Sequence, residues 1–171
     1  TIELVREKDQ WGESFLFKIN GKEFFAKGAN WIPADVIIPR ITREKYHKLI
    51  KAAADANMNF LRAWGGGLYE QQDFYNECDE QGIMIWQDFM FACSTYPTFD
   101  PEFMANVKAE FYDVLPRLRN HPCIALLCGN NELEQGLVDY EWNEKSRSWD
   151  DYKPLFDEML PRVCAELMPE V

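Results

Sequence analysis

Long apolar runs, clusters of basic residues and paired cysteines are all missing from this sequence. No stretch stays apolar over the about 20 residues that a membrane-spanning helix needs, and the N-terminus lacks the charged-then-apolar layout of a signal peptide. Lys and Arg number 18 against 29 Asp and Glu, a formal net charge of -11. That balance excludes nucleic acid and anionic membrane surfaces as partners, because both are bound by clustered cations. The two histidines, His47 and His121, lie far apart and in no ligand-spaced motif, so no metal and no cofactor is expected. The five cysteines form no Cys-x-x-Cys pair. Four of them fall in apolar segments and read as buried thiols, which places the chain in a reducing compartment, the cytoplasm. Asn-x-Ser/Thr sequons are absent too. Gly65-Gly66-Gly67 is not followed by Gly-Lys-Ser/Thr, so it reads as close backbone packing beneath a ligand rather than as a phosphate loop.

Six Trp and twelve Phe in 171 residues mark a globular chain with one sizeable core. The first residue is Thr1 and no initiator Met precedes it, which suggests a piece of a longer protein. From Glu132 to Val171 there are eleven acidic and four basic residues, read as a solvated acidic surface.

The first regular feature is a β-hairpin. Ser14 to Ile19 alternates apolar and polar residues, Asn20-Gly21 is a strong hairpin turn, and Lys22 to Ala26 resumes as a strand. Gly28 to Asp35 has no periodicity and reads as a loop. Thr42 is placed to cap a helix reaching about Asn57, with Tyr46, Leu49, Ile50 and Ala53 at helical spacing. Phe60 to Trp64 is a strand, and a helix from Glu70 to Gln81 ends at Gly82. Ile83 to Asp88 is the next strand, and Asp100-Pro101 opens a helix to about Leu118. Pro116 should kink that helix or end it early. Ile124 to Cys128 is apolar without alternation, as in a parallel strand covered on both faces. A last helix spans about Tyr152 to Leu167, with Pro161 an obstacle inside it. A hairpin followed by four strand-helix repeats is a parallel α/β pattern, half of an eight-fold barrel.

In such architectures the carboxyl ends of the strands carry the site. Gly129-Asn130-Asn131-Glu132 follows the last strand and puts an acid there, although an Asn-Glu pair can also simply cap a loop. Alternation groups Phe60, Arg62 and Trp64 on one face, and Met84, Trp86 and Asp88 on one face of the next strand. A buried Arg62 needs a carboxylate partner. Trp31, Trp64 and Trp86 fall at strand ends, where flat rings can stack on a sugar, although any single one serves as well in a core. His121 precedes a strand, at the opposite end, and reads as structural. An acid flanked by Asn, aromatics and an Arg, with neither metal nor basic patch, suits acid catalysis on an uncharged sugar.

Four ordered motifs carry a resemblance. Asn30-Trp31-Ile32-Pro33-Ala34-Asp35, Leu61 to Glu70, Ile85 to Cys93 and Gly129 to Glu132 together resemble the β-mannosidases of glycoside hydrolase family 2, over about Ser14 to Glu132. The resemblance implies a (β/α)8 TIM barrel, of which this chain would cover the first four βα units. Residues 1–13 would then be a linker from a missing sandwich domain, and 14–171 the N-terminal half of the barrel. It implies retaining hydrolysis of terminal β-D-mannose from a β-mannoside or oligosaccharide. Glu132 would be the acid/base, Asn131 the partner of the sugar 2-hydroxyl and Arg62 the residue that orients the nucleophile. Trp86 would line the mannose subsite, with Asn30, Trp31, Trp64 and Asp88 at its rim. The nucleophile, a Glu on the seventh strand, would lie outside this chain, leaving the isolated piece inactive. Alternatives are a β-galactosidase or β-glucuronidase of the same family, or a non-catalytic sugar-binding module. Half a barrel leaves open sheet edges, so the piece is expected to self-associate.

Overall fold

The computed structural model describes residues 1–138, 149–169 and 171. Ten positions of the acidic run after Glu132, residues 139–148, lie outside the described residues, as does position 170.

Two sheets organise the chain. An antiparallel sheet has the order β1 (Ile2–Val5), β2 (Leu16–Ile19), β3 (Lys22–Phe24), with Asn20-Gly21 turning between the last two. Within residues 1–13, Ile2 to Val5 alternates, pairs with β2 and sets Ile2 and Leu4 against the core. The second sheet is parallel throughout, in sequence order: β4 (Gly28–Trp31), β5 (Phe60–Ala63), β6 (Met84–Asp88) and β7 (Ile124–Cys128). The loop expected over 28–35 thus begins as a strand. Gly28 and Asn30 have little intrinsic strand preference, and it is the pairing of Asn30 with Arg62 and Trp31 with Ala63 that holds them extended.

Helices connect the parallel strands. Between β4 and β5 runs α1 (Arg43–Asp55), whose first turn is capped by the Thr42 hydroxyl accepting the Lys45 N–H at 3.3 Å. Next, α2 (Gln72–Gln81) ends at Gly82 with φ 70°, the left-handed C-terminus that glycine supplies without strain. The third, α3 (Pro101–Leu118), starts on Asp100, whose carboxylate accepts the Glu102 and Phe103 N–H groups. Pro116 does not cut it short; the helix runs two residues further, to Leu118. After β7 come α4 (Leu133–Val138), α5 (Trp149–Lys153) and α6 (Leu160–Leu167). Between the last two, Pro154–Met159 widens to π geometry, with the Leu160 N–H reaching back to the Leu155 carbonyl. Pro161 has no N–H to close an ordinary turn, and the wider turn lets the helix pass it.

The parallel sheet is covered on both faces. Leu61, Ala63, Ile85 and Ile124 face the helices and the main core of Tyr46, Ile50, Phe74, Phe111, Leu115 and Val163. Phe60, Met84, Trp86, Ala125 and Leu126 face a smaller cluster closed by Phe17 and Phe24 of the hairpin. The Phe17 and Phe60 rings lie 5.1 Å apart. A register shift between Ile85 and Trp86 inserts Ala125 as an extra residue of β7, since Ile85 pairs with Ile124 and Trp86 with Leu126. Two causes therefore remove alternation from β7: cover on both sides, and a bulge that turns Ala125 and Leu126 to the same face.

Candidate active site

The carboxyl ends of β5, β6 and β7 deliver one connected polar network. Arg62 on β5 and Trp86 on β6 are register partners on one face, and Asp88 stands two residues beyond Trp86. Asp88 is fully buried and accepts two donors on each oxygen. Arg62 Nε at 3.1 Å and the Trp86 indole N–H at 2.8 Å share Oδ1. Arg62 Nη2 at 2.7 Å and the Gly65 N–H at 3.0 Å share Oδ2. This bidentate geometry fixes the guanidinium plane, whose Cζ lies 5.6 Å from the Trp86 ring centroid. Gly65 is required by close approach: a Cβ there would meet the Phe89 carbonyl oxygen at 2.6 Å.

From Arg62 the network crosses to the strand end of β7. Arg62 Nη2 also donates to Asn131 Oδ1 at 2.8 Å, and Asn131 is buried. Asn131 Nδ2 donates to Cys93 Sγ at 3.2 Å. The Cys93 thiol in turn lies 3.4 Å from Glu132 Oε2, which can accept its proton. Glu132 is exposed. Its backbone has φ 62° and that of Cys93 φ 47°, left-handed values that residues with a Cβ seldom adopt. The surroundings hold both. Asn131 N–H donates to the Phe91 carbonyl at 2.8 Å and Cys93 N–H to the Asn131 carbonyl at 3.0 Å, so the β6–β7 pairing continues past the strands as a bridge at Ala92 and Asn131. Capping of α4 falls to the Asn130 side chain, which accepts the Leu133 N–H at 3.1 Å. The Glu132 carboxylate is thereby left for the site.

Five sequence-predicted residues, Arg62, Asp88, Trp86, Asn131 and Glu132, meet in this network. Asn30 is exposed in the same cross-strand row as Arg62 and Trp86. Trp64 folds back over its own turn, where a Cβ on Gly66 would lie 2.0 Å from its ring. Trp31 goes elsewhere. It shares the helix-facing row with Ala63, its indole N–H donates to Glu70 at 2.9 Å and its ring lies 4.8 Å from Phe74. Asp88, read as a rim contact, has no lone pair to spare for a ligand and instead fixes Arg62 and Trp86. Cys93 was not read from the sequence as a site residue, although it closes the third of the four motifs. The reading of four buried thiols holds fully for Cys78 and Cys123, while Cys128 and Cys164 are half-buried. Burial pushes the Cys128 thiol up, with Asp88 adding to the effect, and Cys164 is pushed up to about 11 by burial alone. Ser94, Thr95 and Tyr96, which follow Cys93 in sequence, and Leu133, which follows Glu132, line a small hollow together with Tyr152.

The amino ends of the strands hold a different cluster. His121 is buried; its Nδ1 lies 2.6 Å from Asp79 Oδ2 and its Nε2 faces the Gln72 amide. Asp79 Oδ1 accepts the Cys123 N–H at 2.9 Å. The ligand atoms of Asp79, His121 and Cys123 lie within 4.8 Å of one another, close enough to hold a metal ion. Their chemistry fits one poorly. Both Asp79 oxygens are already engaged, and burial together with Asp79 pushes the Cys123 thiol far up, against the thiolate that a metal requires.

No family model matches the chain. Individual relatives do. The β-mannosidase of Capra hircus is 50% identical over 156 residues, which are 90% of this chain and 17% of that protein. β-Mannosidase B of Neosartorya fischeri is 40% identical over 178 residues, 99% of this chain and 21% of the relative. Among solved structures, the β-D-mannosidase of Dictyoglomus thermophilum matches with TM-score 0.92 and 50% identity, covering 98% of this chain and 20% of its own. β-Glucuronidase 3 of Bacteroides uniformis matches with TM-score 0.73 at 17% identity over 99% of this chain and 20% of its own, a likeness of fold alone. In sequence and in fold alike, then, the chain is a homologue of the β-mannosidases across a segment that spans about a fifth of their length.

Proposed function

We propose that this chain is the acid/base half of a retaining β-mannosidase site. In the longer protein, Glu132 protonates the departing glycosidic oxygen and then, as the base, activates the water that releases mannose. One observation carries the reading: an exposed carboxylate at the carboxyl end of a parallel strand is linked through Cys93 and Asn131 to an Arg62 that buried Asp88 holds rigid. Asn131 is within reach of a sugar hydroxyl beside that carboxylate, and the Trp86 face lines the mannose subsite, with Asn30 and Trp64 at its edge. Retention needs a second carboxylate roughly 5 to 5.5 Å from the first. Asp88 is unsuited to that task because four donors occupy its oxygens, so the nucleophile is assigned to a later strand of the longer protein.

The same reading makes β4 to β7 the first four strands of a (β/α)8 barrel, with residues 1–13 arriving from a preceding domain and 14–171 as half of the barrel. Among the described residues β4 and β7 each have one strand neighbour, and Phe25 and Phe99 are exposed. The isolated chain therefore self-associates, and a monodisperse monomer by light scattering would count against this. Among the described residues no helix is long and apolar enough to cross a membrane; the cytoplasm is the proposed compartment, supported by the buried Cys78 and Cys123. The decisive assay compares the full-length protein with its Glu132→Gln form on an aryl β-mannoside. A loss of about 10²- to 10⁴-fold is expected, and equal rates would end the assignment.

A further inference from the structure

We infer that Cys93 is a positioning residue for Glu132, and that its thiol is part of what makes this carboxylate an effective acid. The inference rests on the acid/base reading of Glu132. Cys93 Sγ stands between the two side chains that flank the reaction. It receives the Asn131 amide at 3.2 Å and lies 3.4 Å from Glu132 Oε2, while the Asn131 carbonyl is more distant at 3.9 Å. A thiol is at once a weak donor and a weak acceptor. Placed here, it passes the orientation of Asn131, itself set by Arg62, on to the carboxylate.

The backbone supports the same role. Cys93 and Glu132 both adopt left-handed φ, and the Cys93 N–H and Asn131 carbonyl that lock the two segments together are 3.0 Å apart. Strain of this kind persists where surrounding contacts over-determine it, and it clusters at functional sites. Without the thiol contact, an exposed Glu side chain would sample several rotamers, and only some would present the proton to the leaving oxygen.

The test separates positioning from a merely structural part. In the full-length protein, Cys93→Ala and Cys93→Ser are assayed on two β-mannosides, one with an alkyl leaving group and one with dinitrophenolate, which departs without needing a proton. Cys93→Ala should lower kcat/KM about three- to tenfold for the alkyl mannoside and leave the dinitrophenyl substrate within about twofold. Cys93→Ser, which keeps a donor and an acceptor, should recover most of the loss. An equal loss on both substrates, or none on either, overturns the inference. A second measurement needs no turnover. Cys93 is exposed, and its alkylation by iodoacetamide, followed by peptide mass, should run about three- to tenfold faster in Glu132→Gln, because the carboxylate disfavours the reactive thiolate. An unchanged rate overturns the contact itself. Wild-type protein that turns over no β-mannoside would overturn the catalytic reading together with this role, and the alkylation ratio would still decide the contact.

Discussion

The two ends of the parallel sheet use similar side chains for opposite purposes. At the amino end, Asp79 gathers His121 and the Cys123 N–H, and Gln72 closes the other side of the imidazole. That cluster reaches solvent at the exposed Gln72 amide, while its acid is taken up by His121 and the Cys123 N–H. At the carboxyl end, buried Asp88 gathers Arg62, Trp86 and Gly65, but the chain of contacts continues through Asn131 and Cys93 to an exposed carboxylate. Both ends hold an acid, a cysteine and a nitrogen base or cation. What separates structural from chemical use is the group each network presents to solvent: a neutral amide, Gln72, at one end and a carboxylate, Glu132, at the other.

That contrast can be broken by substitution. Asp88→Asn should have the largest effect, since it leaves the Arg62 charge without its partner. A stability loss of about 3 kcal/mol in denaturant titration and a fall in turnover of the full-length protein are expected together. Asp79→Asn should cost less, about 1–2 kcal/mol for the hydrogen bonds to His121 and the Cys123 N–H. Its kcat per folded molecule should be unchanged; a changed kcat would mean that the two ends are coupled. Trp86→Phe should be mildest in stability, under about 1 kcal/mol. It keeps an aromatic face and loses the N–H that Asp88 accepts. Its signature should be a KM raised several-fold with kcat nearly preserved, measurable from initial rates.

Most of the scaffold can be read directly from the sequence. Caps at Thr42 and Asp100, the Gly82 helix end and the Asn20-Gly21 turn act through local chemistry, and all four stand where that chemistry puts them. The features that escape local reading depend on distant partners. β4 is a strand only because β5 lies beside it. The bulge at Ala125 follows from pairing with β6, and the continuous α3 through Pro116 from its packed face. At the site, alternation correctly gathers Arg62, Trp86 and Asp88, while Trp31 is misplaced because nothing local shows which row of β4 faces the hairpin. Cys93 follows an irregular segment, where periodicity gives no direction to a side chain.

The most direct test of Glu132 as the acid/base is chemical rescue in the full-length protein. Glu132→Ala should be slow on an aryl β-mannoside at the step where water attacks the mannosyl-enzyme, because no base remains to activate that water. Azide needs no base and fits where the carboxylate is gone, so it should restore the rate and yield a mannosyl azide of β configuration. Wild-type rates in Glu132→Ala, or a slow variant that azide neither accelerates nor converts to the β-azide, would contradict the account.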